Sequence, residues 1–165
     1  VLQCVSMPNL EIAKSITVSG DSSLETIDLS RLNSSYFLHV CDNANLQWID
    51  ISNLATVSST VDICEAANLE NLDLANLQTT GSDLSIHTNA ALEAIDVSEL
   101  DTVGGDFAVY DNSNLVSLDA GSVTTVNGVV DVQNNANLQE LNMPDLTHAD
   151  SVVISNNDNV KAHIL

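Results

Sequence analysis

The chain has 165 residues, the size of one domain, and 44% of them are apolar while only 3% are aromatic. A domain with one central core usually buries several aromatic rings, so this composition favours a narrow core of Leu, Ile and Val. Three basic residues stand against 23 acidic ones, a formal net charge of -20. This balance argues against nucleic acid and anionic membrane surfaces as partners, because both are bound through clustered Lys and Arg.

The sequence repeats itself every 22 or 23 residues. The pattern Asn-x-Leu, or a variant of it, recurs with its apolar residue at Leu2, Leu24, Leu46, Leu69, Leu92, Leu115, Leu138 and Val160. A fixed period of this length indicates a solenoid of stacked coils. Residues 1–165 are therefore predicted to form one solenoid of about seven coils.

Each coil contains two stretches in which apolar and polar residues alternate, as in a β-strand. In the coil that begins at Leu46 the first is Ile49-Asp50-Ile51 and the second is Val61-Asp62-Ile63, and the pair recurs in later coils. Asn, Ser, Asp and Gly separate the stretches, and no segment keeps the apolar period of a helix. The predicted fold is all-β: a right-handed leucine-rich-repeat solenoid with parallel sheets on two faces and coils about 4.8 Å apart.

Asparagine marks two corner positions of the coil. One holds Asn43, Asn89, Asn112, Asn135 and Asn157, and the other, two residues on, holds Asn45, Asn68, Asn114, Asn137 and Asn159. Asn tolerates left-handed backbone, bonds to nearby main chain and can stack in ladders between coils. A structural role is predicted for both sets.

The segment Leu92-Glu-Ala-Ile-Asp-Val-Ser-Glu-Leu-Asp-Thr-Val-Gly-Gly-Asp-Phe-Ala-Val-Tyr-Asp-Asn resembles the receptor L-domain class of leucine-rich β-solenoid. Met143-Pro144-Asp145-Leu146 and Met7-Pro8-Asn9-Leu10 are similar to the Pro-x-Leu turn of fungal cell-wall proteins of the Ecm33 type. The resemblance implies an extracellular or cell-surface location. It transfers no ligand-binding residue.

One outward column of the first strand is acidic. Aligning the coils places five successive Asp residues between Ser6 and Asn142: Asp28, Asp50, Asp73, Asp96 and Asp119. Three interpretations compete: solvated residues that deter sideways sheet pairing, a docking face for a basic partner, or a cation site. Calcium, which prefers carboxylate oxygen, is the one cofactor considered, with Asp50, Asp73 and Asp96 as its ligands.

Trp48 is predicted to point outward beside this column. An exposed indole next to a carboxylate can stack on a sugar or anchor a protein partner. The alternative is lateral packing under a neighbouring segment.

The outward column of the second strand is Ser19, Cys41, Cys64, His87, Tyr110, Gln133 and Ser155. Cys41 and Cys64 are one coil apart, which places their Cα atoms within disulfide range. They form either a disulfide or, in a reducing compartment, two free thiols. Cys4 falls on the other sheet, where it is free or pairs beyond this chain.

Catalysis finds little support in the sequence. His39, His87, His148 and His163 fall at scattered offsets, so no shared face, zinc site or catalytic triad is predicted. A glycan-active β-helix enzyme could use paired carboxylates, but a regular column gives no two acids distinct environments. Ice binding would need a threonine column, and none is predicted. The chain is therefore predicted not to be an enzyme.

Asn33-Ser34-Ser35 is an N-glycosylation sequon, usable in a secreted eukaryotic protein. No capping segment is recognisable where the repeat starts or stops, which predicts a piece of a longer array or a subunit that stacks end to end. We expect an extracellular structural or adhesive module whose acidic face binds a protein or carbohydrate. The alternative is a subunit of an extracellular filament or matrix, assembled through the ends and dependent on cations.

Overall fold

A computed structural model describes residues 1–163, and its regular elements are all β-strands. Each coil begins with a short strand of a first row. In chain order this row consists of β1 (Cys4–Ser6), β3 (Thr26–Asp28), β5 (Trp48–Asp50), β8 (Asn71–Leu72), β11 (Ala94–Asp96), β14 (Ser117–Asp119), β17 (Glu140–Asn142) and β19 (Lys161–His163). Parallel pairing divides the row into two four-stranded sheets, which a bridge between Asp73 and Asp96 connects.

The remaining strands form one parallel sheet that contains two further rows. The second row is β6 (Thr56–Val57), β9 (Thr79–Thr80), β12 (Thr102–Val103) and β15 (Thr125–Val126). The third is β7 (Val61–Cys64), β10 (Leu84–His87), β13 (Phe107–Tyr110), β16 (Val129–Gln133) and β18 (Ser151–Ser155). Near the start of the chain β2 (Ile12–Ser19) and β4 (Ser34–Cys41) each run through both rows.

The structure confirms an all-β solenoid of about seven coils with parallel sheets. The prediction of two strands per coil was too low, however. In the middle coils a short strand of the second row lies between the two predicted strands. This row also corrects the expectation that threonines form no column, since Thr56, Thr79, Thr102 and Thr125 pair in register. Two-residue strands are too short for the alternating pattern to reveal them.

The core is a column of Leu, Ile and Val between the rows. Every coil from Leu24 to Met143 buries its apolar positions almost completely, and Phe107 is the largest fully buried side chain. Because the same positions recur in each coil, similar aliphatic side chains stack on one another along the column. They fill it without the large aromatic rings that a globular core needs.

Buried asparagines connect most coils to the preceding one. Asn89, Asn112 and Asn135 donate Nδ2 to the carbonyls of Ile63, Ile86 and Val109 at 2.9–3.0 Å. Their Oδ1 atoms accept main-chain N–H groups of that coil at 3.0–3.1 Å. In one coil Ala66 occupies the equivalent buried position and interrupts this ladder.

The residue before each ladder position adopts left-handed backbone. Its φ lies between 52° and 76° at Gly20, Asp42, Glu65, Thr88, Asp111, Asn134 and Asn156. The corner therefore turns the same way in every coil, which keeps the first and third rows in fixed register.

Candidate binding face and a second polar cluster

The first row presents the predicted acidic column to solvent. Asp28, Asp50, Asp96 and Asp119 end their strands in paired register, and Asp73 bridges to Asp96. Asp73 and Asp96 are exposed and the other three are half-buried. We call this surface, with the neighbouring column of Trp48, Asn71, Ala94, Ser117, Glu140 and Lys161, the acidic face.

Each carboxylate of the column caps the turn that follows its strand. Oδ1 accepts the N–H two residues on, at 2.9–3.1 Å, from Ser30, Ser52, Ala75, Ser98 and Gly121. This Asx-turn satisfies a main-chain donor that would otherwise be unpaired in the turn. The recurrence of Asp therefore has a structural cause within each coil. The second carboxylate oxygen takes no part in the turn; in Asp28 it accepts the Ser6 hydroxyl.

Hydrogen bonds also hold the pKa of Asp28 below its ordinary value of 3.8. The side chain and backbone of Ser30 are the main cause, and the Ser6 hydroxyl, which donates to Oδ2 at 3.2 Å, adds to it. The carboxylate is fully ionised at neutral pH. The face is thus anionic in any medium near neutrality.

The structure does not gather Asp50, Asp73 and Asp96 into a ligand cluster. Within residues 1–163, the groups that bring three potential ligand atoms within 4.8 Å of one another lie elsewhere. The reason is that each Oδ1 is turned along its own coil toward the capped N–H. Calcium binding at this column stays a prediction.

Trp48 lies on the acidic face with 42% of its surface exposed. A hollow of about 220 Å³ adjoins it, lined by Asp50, Ser52, Asn71 and Asp73 among others. Further along the same row lies a shallow groove of about 570 Å³, with Lys161 at its end. Its other polar or small lining residues are Ala94, Asp96, Ser117, Asp119, Glu140 and Asn142. The exposed part of the indole is accessible to a partner, and the alternative of lateral packing under a neighbouring segment stays a prediction.

A second polar cluster lies on the third row, where the histidines were predicted to be scattered. His39 Nδ1 is 3.0 Å from Asp62 Oδ2, and His87 Nε2 is 3.7 Å from Asp62 Oδ1. The prediction that no shared face gathers histidines was therefore wrong for His39 and His87. His148 is exposed at the end of the second row, where its backbone bridges Thr125. The side chain of His163 lies outside the described residues.

Cys41 and Cys64 form a disulfide inside this cluster, with a Cα–Cα distance of 4.5 Å. The ring of Tyr110 stacks on His87, with centroids 4.5 Å apart and planes 7° from parallel. Burial raises the pKa of the Tyr110 phenol, and the negative charge of Asp62 adds to that. We call His39, Cys41, Asp62, Cys64 and His87 the third-row cluster.

The sequence held a signal for the third-row cluster. The second strand of each coil has two outward columns, one of which runs through Cys41, Cys64 and His87. The other, two residues earlier in each coil, places His39 next to Asp62 in register. The diagonal approach of His87 to Asp62 depends on side-chain rotamers, which alignment of coils does not provide.

Of the two remaining predicted positions, Asn33 lies apart from both surfaces, whereas Cys4 lies on the first row in register with Thr26 and Trp48. Asn33 is exposed in the turn before β4. Cys4 is an exposed free thiol on the first row. Among residues 1–163, no helix is long and apolar enough to cross a membrane.

Comparison with protein-family models, with curated proteins and with solved structures gave no match. The resemblance to the receptor L-domain class and to Ecm33-type proteins therefore stays a prediction.

Proposed function

We propose that this protein is an extracellular or cell-surface binding module whose acidic face holds a protein or carbohydrate partner. The observation that carries the proposal is the combination, on one face, of an open indole and an unbroken column of carboxylates. The repeated Leu, Ile and Val positions of the coils between Leu24 and Met143 are buried, whereas the single Trp leaves 42% of its surface in solvent beside the carboxylates, as an anchor for a partner would. The disulfide is compatible with an oxidising, extracellular location.

The chemistry of the face restricts the partner. A formal charge of -20 repels anionic glycans and acidic proteins, so neutral or cationic oligosaccharides and basic protein segments are the favoured classes. The shallow grooves follow the strand row rather than forming one enclosed pocket, which suits an extended chain. All five carboxylates of the column cap their own turns in the same way, whereas acid–base catalysis needs two acids in contrasted roles, so we propose binding rather than catalysis.

The test uses variants that keep the turn caps. Asn also offers an Oδ1 acceptor, so the triple variant Asp50→Asn, Asp73→Asn, Asp96→Asn removes three charges and retains the Asx-turns. This variant and Trp48→Ala should each weaken binding to arrayed neutral and cationic oligosaccharides or to Lys-rich peptides at least tenfold. Glu65→Gln, Asp150→Asn, Asp158→Asn is the matched control, because it removes three exposed charges outside the face. Equal losses in both triple variants would reject the acidic face as the site.

End-to-end association is a second candidate, favoured by the apolar surface of the first and last described coils. Ile12 is 72%, Leu2 46% and Val152 47% exposed. Further coils of the same kind, or a second copy, would cover these surfaces and their unpaired strand edges. We would measure the sedimentation coefficient as a function of protein concentration. A coefficient that rises with concentration in the original chain, but not in Val152→Glu, would support assembly through the ends. A coefficient independent of concentration would exclude it.

A further inference from the structure

The third-row cluster has a composition that a structural disulfide does not require. Two cysteines, two imidazoles and a carboxylate are side chains that bind Zn²⁺. The ligand atoms of Asp62, Cys64 and His87 all lie within 4.8 Å of one another, and so do those of His39, Cys41 and Asp62. Both groups share Asp62 and are joined through the disulfide.

An unpaired oxygen points into the cluster. Asp62 Oδ1 is buried and has no hydrogen-bond partner, whereas Oδ2 is 3.0 Å from His39 Nδ1. A buried carboxylate oxygen without a donor is costly, about 1–3 kcal/mol or more. The distance of 3.7 Å from Oδ1 to His87 Nε2 is too long for a hydrogen bond. It suits two ligands that are each about 2.0–2.1 Å from one ion.

We propose that the third-row cluster is a redox-dependent zinc site, formed when the disulfide between Cys41 and Cys64 is reduced. The ligands are the two thiolates, Asp62 Oδ1 and His87 Nε2, a four-coordinate set of the structural type. His39 is a positioning residue, because its bond to Oδ2 aims Oδ1 at the ion. The stack of Tyr110 on His87 holds the imidazole in place. The site is on a different face from the partner-binding surface and does not depend on it.

The chemical steps balance with a phosphine as reductant. The phosphine attacks the S–S bond and leaves as phosphine oxide with the oxygen of one water molecule, while the two hydrogens of that water end on the two sulfurs. Zn²⁺ then binds both sulfurs and releases those two protons to solvent, since the thiolate is the ligand form. The covalent link between neighbouring coils is thereby exchanged for a metal link at the same place. Imidazole and carboxylate side chains at 18–29% exposure leave the ion a path from solvent.

The experiment uses the whole chain with Cys4→Ser, which removes the free thiol. The protein is reduced by a water-soluble phosphine without oxygen and titrated with Co²⁺, then with Zn²⁺ in competition. Expected are one equivalent of Co²⁺, the intense visible bands of tetrahedral cobalt and a thiolate-to-cobalt charge-transfer band. The disulfide form should show none of these. Circular dichroism before and after reduction reports whether the solenoid persists.

Variants assign the ligands. Asp62→Asn and His87→Ala should each weaken Zn²⁺ binding at least tenfold, and His39→Ala should weaken it while retaining the thiolate band. His148→Ala, an exposed imidazole in another row, should bind as the parent does. The proposal is overturned if the reduced chain unfolds and takes up no metal. It is equally overturned if binding is unchanged in Asp62→Asn and His87→Ala, or if the disulfide form binds as well.

Discussion

The side-chain amide of Asn112 bonds in two directions within the core. It accepts the N–H of Asn89 at 3.0 Å and donates to the carbonyl of Ile86 at 2.9 Å. Both groups are main-chain atoms: the N–H of Asn89 lies at the corner beyond β10, and the carbonyl of Ile86 lies within β10, which pairs with β13. Asn112 itself is 0% exposed. Asparagine recurs there because it alone combines this donor and acceptor in the required geometry with a small volume.

Replacing Asn112 by Ala should therefore lower the free energy of unfolding by about 1–3 kcal/mol, since it leaves the N–H of Asn89 without its partner and removes one hydrogen bond to the carbonyl of Ile86. Urea unfolding followed by circular dichroism measures this loss. Asn114→Ala, two residues on and exposed, should change stability by less than about 0.5 kcal/mol. An equal loss in the free energy of unfolding at both positions would mean that the buried asparagine ladder stabilises the fold no more than an exposed asparagine does.

The reciprocal change is Ala66→Asn, at the coil where the ladder is interrupted. By analogy with its neighbours, the new amide would accept the N–H of Asn43 and donate to the carbonyl of Val40. We expect a gain of roughly 1 kcal/mol, the typical net contribution of a buried hydrogen bond. The same urea experiment checks it, and a destabilised variant would show that this corner has closed around Ala66.

At the scale of the elements, two turns between the second and third rows have glycine, Gly81 and Gly104, where the main chain of the preceding coil comes close. A Cβ at Gly81 would lie inside the van der Waals surface of the Ser58 carbonyl oxygen in the preceding coil. That obstacle is main chain, so it cannot move without opening the stack. A Cβ at Gly121 would instead meet the ends of two side chains, Asn142 and Asp119, at 3.2 Å, a contact that a shift of a few tenths of an ångström relieves.

Gly81→Ala should consequently cost about 1–3 kcal/mol, the usual penalty of overpacking, and Gly121→Ala much less. Thermal unfolding of the two variants in parallel tests the difference. Equal melting temperatures would contradict the close approach at Gly81.

At the scale of the whole molecule, charge opposes the fold. A formal charge of -20, concentrated partly on one face, repels itself, and coils stacked about 4.8 Å apart cannot separate these charges. Salt shortens the range of this repulsion from about 30 Å at 0.01 M to about 8 Å at 0.15 M. The folded chain should thus depend on its ionic medium more than a neutral protein of equal size.

Raising NaCl from about 0.01 M to 0.15 M should raise the melting temperature, with each 1 kcal/mol of relieved repulsion worth about 2–4 °C. CaCl₂ at equal ionic strength separates screening from binding. An additional rise that EDTA reverses, and that Asp50→Asn, Asp73→Asn, Asp96→Asn abolishes, would support the predicted calcium site. Identical curves in the two salts would reject it.

The sequence by itself determined the period of the coil, the register of the rows and the residues of the core. These follow from spacing, because a strand pairs with its copy one period later and its alternate residues must face the same way. The acidic column, the asparagine corner and the proximity of Cys41 to Cys64 follow in the same manner.

Only the tertiary structure decided what those columns do. The second strand row, the cap that each Asp places on its own turn and the approach of His87 to Asp62 depend on backbone angles between the strands and on rotamers across them. The register determines which Cα atoms are neighbours in adjacent coils. Whether two neighbouring side chains form a hydrogen bond or bind one metal ion depends on their rotamers.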